Sequence, residues 1–291
     1  GMVLAGVLLG QYGLNILSRD DSFELFGKVG MYYIMFLAAL EIDFEGMKKK
    51  RRSLAVFALL SFAIPFALIY LAVTLLFGYS CVPALILSCI MGSSTLVAYP
   101  VVLRYGLQRK PGLMLSVGAT MAALFLALVV MAAVASAAGK GGGIMFWTWF
   151  AAKIVLVCAF LTFAIPRLAR WFLRNYSDAV MQFIFVMSMM FMSAVLTNAA
   201  WLEGIFGAFL SGLILNRYIP HLSPLMNRIE FIGNALFIPY FLIGVGMLVN
   251  VGVLFDGGGI IAVVAAMVFF GVAGKAAAAY LSCRLCRLPV S

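Results

Sequence analysis

The sequence is poor in charge. Only 10% of its 291 residues are charged, with 10 acidic side chains, 20 Lys and Arg, and 1 His. A soluble domain carries roughly a quarter charged residues, so a water-soluble globule is excluded. No metal-ligand cluster, nucleophile–base pair or phosphate loop is present, and an enzyme finds no support. The lone His221 lies in "NRYIPHLSPL" and reads as a cytoplasmic surface residue. Cys81, Cys89, Cys158, Cys283 and Cys286 sit in or beside apolar segments and give no disulfide framework. Cys283 and Cys286 form a CxxC without a second pair, which is weak grounds for metal or redox chemistry. Carboxylates are absent from the middle of every apolar run. Asp20, Asp21, Glu24, Asp178 and Asp256 fall in loops, and Glu203 and Glu230 fall at span ends.

What is present is apolar. Hydrophobic residues make up 65% of the chain, and mean hydropathy is +1.14. Apolar runs of about 18 residues or more recur along the whole length, the pattern of an all-α polytopic membrane protein. The runs are continuous rather than alternating, which disfavours a β-barrel. Ten spans are expected: 1–17, 29–45, 53–77, 82–103, 112–138, 145–171, 179–198, 201–216, 231–254 and 259–283.

The loops test that count. Loops after even-numbered spans hold Lys48 to Arg52; Arg104, Arg109 and Lys110; Arg167, Arg170 and Arg174; Arg217 and Arg228; Arg284 and Arg287. Loops after odd-numbered spans hold only Arg19, Lys28 and Lys140. This alternation places the even-side loops in the cytoplasm. It also accounts for the net charge of +10 without nucleic acid. The chain opens on "GMVLAGVLLG", already apolar, with no signal-peptide architecture. A start inside a membrane segment is expected.

Two spans carry helix-loosening residues. Span 4 contains "MGSSTLVAYP", with Ser93, Ser94 and Thr95 in a row before Pro100. Span 9 contains "FIPYFLIGVGM", with Pro239, Gly244 and Gly246. Proline removes a backbone donor and glycine loosens a helix, and unwound backbone at membrane depth belongs beside a cavity. These spans are five apart. An odd offset makes a five-span repeat inverted, and paired interrupted helices point to a transporter binding site. The reading is therefore five-span inverted repeats with two broken crossover helices.

The same offset pairs span 5 with span 10. Span 10 carries Lys275 amid Gly and Ala, nine residues before Arg284, or about 13 Å at the helical rise. Snorkelling covers only part of that distance, so Lys275 is a functional candidate. Lys153 follows Trp147 and Trp149 and reads as snorkelling outward. Glu41, in "LAALEIDFEGMKKKRR", either lines a cytoplasmic funnel or pairs with the basic loop beside it. Thr197 and Asn198 cap span 7 or line a vestibule. Span 5 contains "GATMAALFLALVV", where Thr120 is the one hydroxyl and no residue is charged.

These segments resemble the monovalent cation–proton antiporter superfamily, on its Kef-type or sodium–hydrogen exchanger side. "LAGVLLGQYGLNIL" is similar to the family's "aGillGPyGL", and "GMYYIMFLAALEIDFEGMKK" to its "lGlilLmFlaGLEid". "MGSSTLVAYPVVLRYGL" resembles the "SsTavvlpvLkelgl" crossover helix. "LEGIFGAFLSGLILNR", "ALFIPYFLIGVGMLVNVGVL" and "GVAGKAAAAYLSCRL" match later family segments in order.

The resemblance implies one transmembrane transporter domain over 1–291, with core helices at 82–138 and 231–283 and the remainder largely scaffold. It implies alternating access, a homodimer, no cofactor, and a bacterial inner (plasma) membrane. Monovalent cation and protons would be the substrates. Carried over by position, Ser93, Ser94, Thr95 and Thr120 are ion-binding candidates. Pro239, Gly244 and Gly246 match the second crossover, and Lys275 the basic position. One departure stands out. Segments akin to "GGTIFTDTLALLV" put Ala123 and Leu124 where the family has a polar residue and its ion-binding Asp.

Competition between H⁺ and a cation ordinarily needs a titratable carboxylate at depth, and Leu124 cannot supply one. Two readings remain. One is cation (Na⁺ or K⁺)/proton antiport with altered chemistry, in which Lys275 itself carries the proton. The other is a transport-inactive or channel-like homologue acting as a sensor or partner-binding membrane protein.

Overall fold

The computed structural model describes residues 1–17, 20–41, 51–92, 111–138, 144–200, 202–220, 223–250, 252 and 258–286. The described residues form helices and no strand. In chain order these are α1 (Met2–Leu9), α2 (Asp21–Glu41), α3 (Arg51–Phe77), α4 (Cys81–Gly92), α5 (Pro111–Ala138) and α6 (Ile144–Asn175). Then come α7 (Ala179–Ala199), α8 (Gly204–Leu215), α9 (Pro224–Ile232), a π turn (Gly233–Phe237), α10 (Ile238–Met247) and α11 (Gly258–Cys286). Among the described residues, six helical stretches are long and apolar enough to cross a membrane: Asp21–Glu41, Arg52–Phe77, Ala151–Asn175, Ala179–Ala199, Pro224–Met247 and Ile261–Leu285. Shorter apolar helices run over Cys81–Gly92, Ser116–Met131 and Gly204–Leu215.

Local chemistry sets several boundaries. α2 begins at Asp21, ahead of the expected span, with Asp21 and Glu24 in its first turn. Both acids complement the positive end of the helix dipole. Glu24 also pairs with Lys28 at 2.8 Å, one turn on. α7 is capped by Asp178, whose carboxylate accepts from the backbone N–H groups of Val180 and Met181. α9 starts with Ser223 as cap and Pro224 in the first turn.

The chain divides into two compact units. The first holds α1, α2, α6 from Trp149, and α7 to α10. Its core packs Tyr33, Phe36, Leu37 and Leu40 of α2 against Leu161 and Ile165 of α6, Val186 and Met190 of α7, and Met226 and Ile229 of α9. The second unit holds α3, α4, α5 and α11. In it Phe62 of α3 packs with Ala123 and Ala127 of α5. Ile69 and Val73 of α3 meet Ala84 of α4, with Met267 and Phe270 of α11 alongside.

One expectation is corrected. Span 9 was expected to break at Pro239, Gly244 and Gly246, but the backbone is helical throughout Pro224–Met247. The irregularity is a π turn, closed by a bond from the Ile238 N–H to the Gly233 carbonyl. Pro239 follows directly after that turn, near the start of α10. The glycines serve close packing instead. A Cβ at Gly246 would overlap the Val3 carbonyl oxygen, and one at Gly6 the Ile243 carbonyl oxygen. The residues that loosen a helix in isolation here let α1 and α10 approach backbone to backbone. This stretch lies in the first unit and α11 in the second.

Candidate functional site

α11 is a single helix of 29 residues, and Lys275 stands in its second half. Gly274, the residue before it, faces Pro65 of α3. A Cβ there would come within 2.8 Å of the Pro65 Cα. Gly271 lies near Ile69, and Ala278 is fully buried. This face of small residues brings α11 onto α3 closely enough for the lysine to reach across it.

Lys275 is half-buried and its ammonium is surrounded by oxygen. Nζ donates to the Ser61 carbonyl at 2.9 Å and to the Gly92 carbonyl at 2.9 Å. A longer contact, 3.4 Å, runs to the Ser61 hydroxyl. An ammonium has three donors, and here they meet oxygens on α3 and at the end of α4. Hydrogen bonds with an ionised donor are stronger than neutral ones, which lets a charge stay in an apolar setting. α3, α4, α5 and α11 contain no Asp or Glu among their described residues. The described acceptors of the lysine are therefore carbonyls and a hydroxyl.

The substituted position is also enclosed. Ala123 is fully buried against Phe62, and Leu124 is 5% exposed. Thr120, one turn earlier, sends its hydroxyl hydrogen to the Ser116 carbonyl at 2.7 Å. That bond leaves the oxygen lone pairs to accept or to ligate. Ser93, Ser94 and Thr95 lie outside the described residues. Earlier on α4 stand Ser88, bonded to the Ala84 carbonyl at 2.6 Å, and the buried Cys89.

The remaining candidates sit in the first unit. Glu41 ends α2 and is half-buried. The adjacent carbonyls of Ala39 and Leu40 accept from the Asn216 amide at the end of α8. Gly244 faces the Phe23 ring, 3.2 Å from where a Cβ would stand. Thr197 is buried and bonds back to Ser193 and Ala194, while Asn198 donates to the Tyr32 hydroxyl at 3.4 Å. Lys153 is exposed, as expected for a side chain at the membrane face. His221 lies outside the described residues.

Ser61 was not anticipated. A single serine in an apolar helix is ordinarily unremarkable, because its hydroxyl bonds to its own backbone. The lysine uses mainly its carbonyl, which no residue letter encodes.

The family model described as "Sodium/hydrogen exchanger, transmembrane" matches residues 1–291, the entire chain. The chain belongs to the sodium/hydrogen exchanger family. It is 34% identical over 255 residues to the Na(+)/H(+) antiporter NhaS5 of Synechocystis sp., a match covering 86% of this chain and 36% of that protein. It is 27% identical over 260 residues to the probable Na(+)/H(+) antiporter 3 of Methanocaldococcus jannaschii, covering 88% of this chain and 66% of the relative. Against the K(+)/H(+) antiporter 1 of Saccharomyces cerevisiae identity is 26% over 299 residues, covering 88% and 32%. The chain thus spans from about one third to two thirds of these relatives' lengths. Family membership and the apolar helices make it an integral membrane protein of a transporter class.

Proposed function

We propose that this chain is the membrane part of a secondary transporter that exchanges Na⁺ or K⁺ for protons by alternating access. Lys275 is the proton-carrying group in place of the family's carboxylate. The observation that carries this reading is the oxygen seat of Lys275, where Nζ lies 2.9 Å from two backbone carbonyls on two different helices. Its described acceptors, two carbonyls and a hydroxyl, are neutral oxygens that carry no proton-competing charge of their own. The cation is then taken by hydroxyl and carbonyl oxygens, with Thr120 and Ser93 to Thr95 as the ligand candidates. One positive charge replaces another, and the site never holds both.

The ten-span arrangement with inverted repeats belongs to the same proposal, supported by the alternation of basic loops. So do a homodimer and a bacterial inner membrane, which rest on family resemblance. Glu41 is retained as a candidate for the cytoplasmic approach.

The second reading, a transport-inactive or channel-like homologue, is favoured by the apolar, buried Ala123 and Leu124. One assay separates the two. The full-length protein is reconstituted in proteoliposomes with a trapped pH dye, and Na⁺, K⁺ or Li⁺ is added. Antiport predicts cation-dependent proton flux; its absence would select the transport-inactive reading.

A further inference from the structure

We infer that Pro65, acting through the backbone carbonyl of Ser61, builds the acceptor that seats the Lys275 ammonium and is a positioning residue for the exchange reaction. This inference rests on the functional reading above. In an α-helix the carbonyl of residue i accepts from the N–H of residue i+4. Pro65 lies inside α3, which is helical throughout Arg51–Phe77. It has no N–H, and its ring crowds the carbonyl four residues earlier. That carbonyl belongs to Ser61, which is 7% exposed. The helix's own ladder thus supplies no i+4 donor to a buried oxygen, and water has little access to it. Lys275 Nζ is the donor that arrives, at 2.9 Å.

The same proline sets the distance. A Cβ on Gly274 would stand 2.8 Å from the Pro65 Cα, 3.1 Å from its nitrogen and 3.2 Å from its Cβ. The residue before the lysine therefore lies directly on the ring that opens the acceptor. A proline tolerated only as a kink would require neither the glycine opposite nor a lysine one residue further on. An oxygen already bonded along its helix would be a weaker partner for the ammonium than one left open.

Among the described residues, the groups able to influence titration here are these. On the helices packed against α11 they are Arg51, Arg52 and Tyr70 of α3, and Cys81 and Cys89 of α4. α5 offers none among its described residues. On α11 itself they are Tyr280, Cys283, Arg284 and Cys286.

The test reads the amine directly. Full-length protein in proteoliposomes is treated with a membrane-permeant amine reagent from pH 6 to 10, and labelling at Lys275 is followed by peptide mass spectrometry. Pro65→Ala returns an N–H to α3 and lets the Ser61 carbonyl close its helical bond. Weakening one charge-assisted hydrogen bond changes such an equilibrium by about tenfold. Lys275 labelling near neutral pH is therefore expected to rise about tenfold, with the exchange pH profile displaced in the same acid direction. Pro166→Ala, inside α6, is expected to leave Lys275 labelling unchanged. Gly274→Ala presses on the Pro65 backbone and pushes α11 away from α3, while Pro65 and its missing N–H stay in place, and is expected to raise labelling too. It serves alone if Pro65→Ala fails to fold. Folded Pro65→Ala, or Gly274→Ala in its place, with wild-type labelling and pH profile overturns the inference. Absence of exchange in the wild type, with labelling still displaced in the variants, would overturn the antiport reading and leave the lysine seat standing.

Discussion

Gly6 of α1 and Gly246 of α10 face each other so closely that a Cβ on Gly246 would lie 2.9 Å from the Gly6 Cα. The next obstacle, the Val7 nitrogen, is at 3.0 Å. These atoms are backbone and cannot rotate away, so a methyl group must push the helices apart. Overpacking of this kind typically costs about 1–3 kcal/mol. Gly246→Ala is expected to lower the melting temperature of the detergent-purified protein, and Gly246→Val to lower it further. A melting temperature unchanged in both variants would show that the two helices are not held this closely.

Lys275 makes a separate prediction. Replacing it with methionine keeps the side-chain length and removes every donor. The Ser61 and Gly92 carbonyls would each lose their bond from Nζ, and a buried acceptor left unsatisfied costs about 1–3 kcal/mol. Lys275→Met is therefore expected to lower stability and to abolish the pH dependence of cation-driven proton flux. Lys275→Arg keeps the charge but offers a planar fork rather than a compact ammonium. It is expected to restore part of the stability and none of the pH response. A proton-flux profile identical to wild type in Lys275→Met would reject the lysine as proton carrier.

Leu124→Asp restores the acid that the family resemblance expects. Leu124 is 5% exposed in the apolar helix α5, so an ionised carboxylate there is buried away from water. Burial of an unpaired charge is costly and the group tends to stay protonated. The variant is expected to be less stable than wild type at neutral pH and to recover as pH falls and the carboxyl takes up its proton. If position 124 is the cation site, added Na⁺ or K⁺ also raises its melting temperature and strengthens cation-dependent flux. Leu124→Asn is the control, since it adds polarity without charge. Cation effects equal in both variants would mean that position 124 is not the acid position.

The charge anomalies and apolar runs were readable from the letters alone; the oxygen chemistry was not. Lys275 stood out because a lysine far from either span end has no bland explanation. The apolar runs were equally plain, since membrane helices announce themselves by length. Ser61 was invisible because its carbonyl does the binding, and each non-proline residue has the same carbonyl and N–H. The signal was four residues away, in Pro65. Span 9 misled for the complementary reason. Pro239 and two glycines resemble a break, but a π turn absorbs the irregularity and Gly246 is used for contact with α1. Composition records that a helix can be loosened, and only tertiary packing decides whether it is. Thr120 is ambiguous in the same way, since its hydroxyl hydrogen already has a partner on its own helix.

Asn216 gives the last prediction, at the opposite end of the first unit's packing. Its side-chain amide donates to the Ala39 and Leu40 carbonyls at the last turn of α2. This amide thereby ties the end of α8 to the last described turn of α2. Asn216→Ala removes the donors and is expected to destabilise by about 1 kcal/mol, the usual worth of one such bond. Asn216→Asp is nearly isosteric but has no donor when ionised. It also sets a negative charge at the negative end of the α2 dipole. The aspartate variant is therefore expected to melt below the alanine variant at pH 8 and to approach it near pH 4, where its carboxyl becomes a donor. A simple steric role for residue 216 predicts the reverse order, because aspartate keeps the shape that alanine loses.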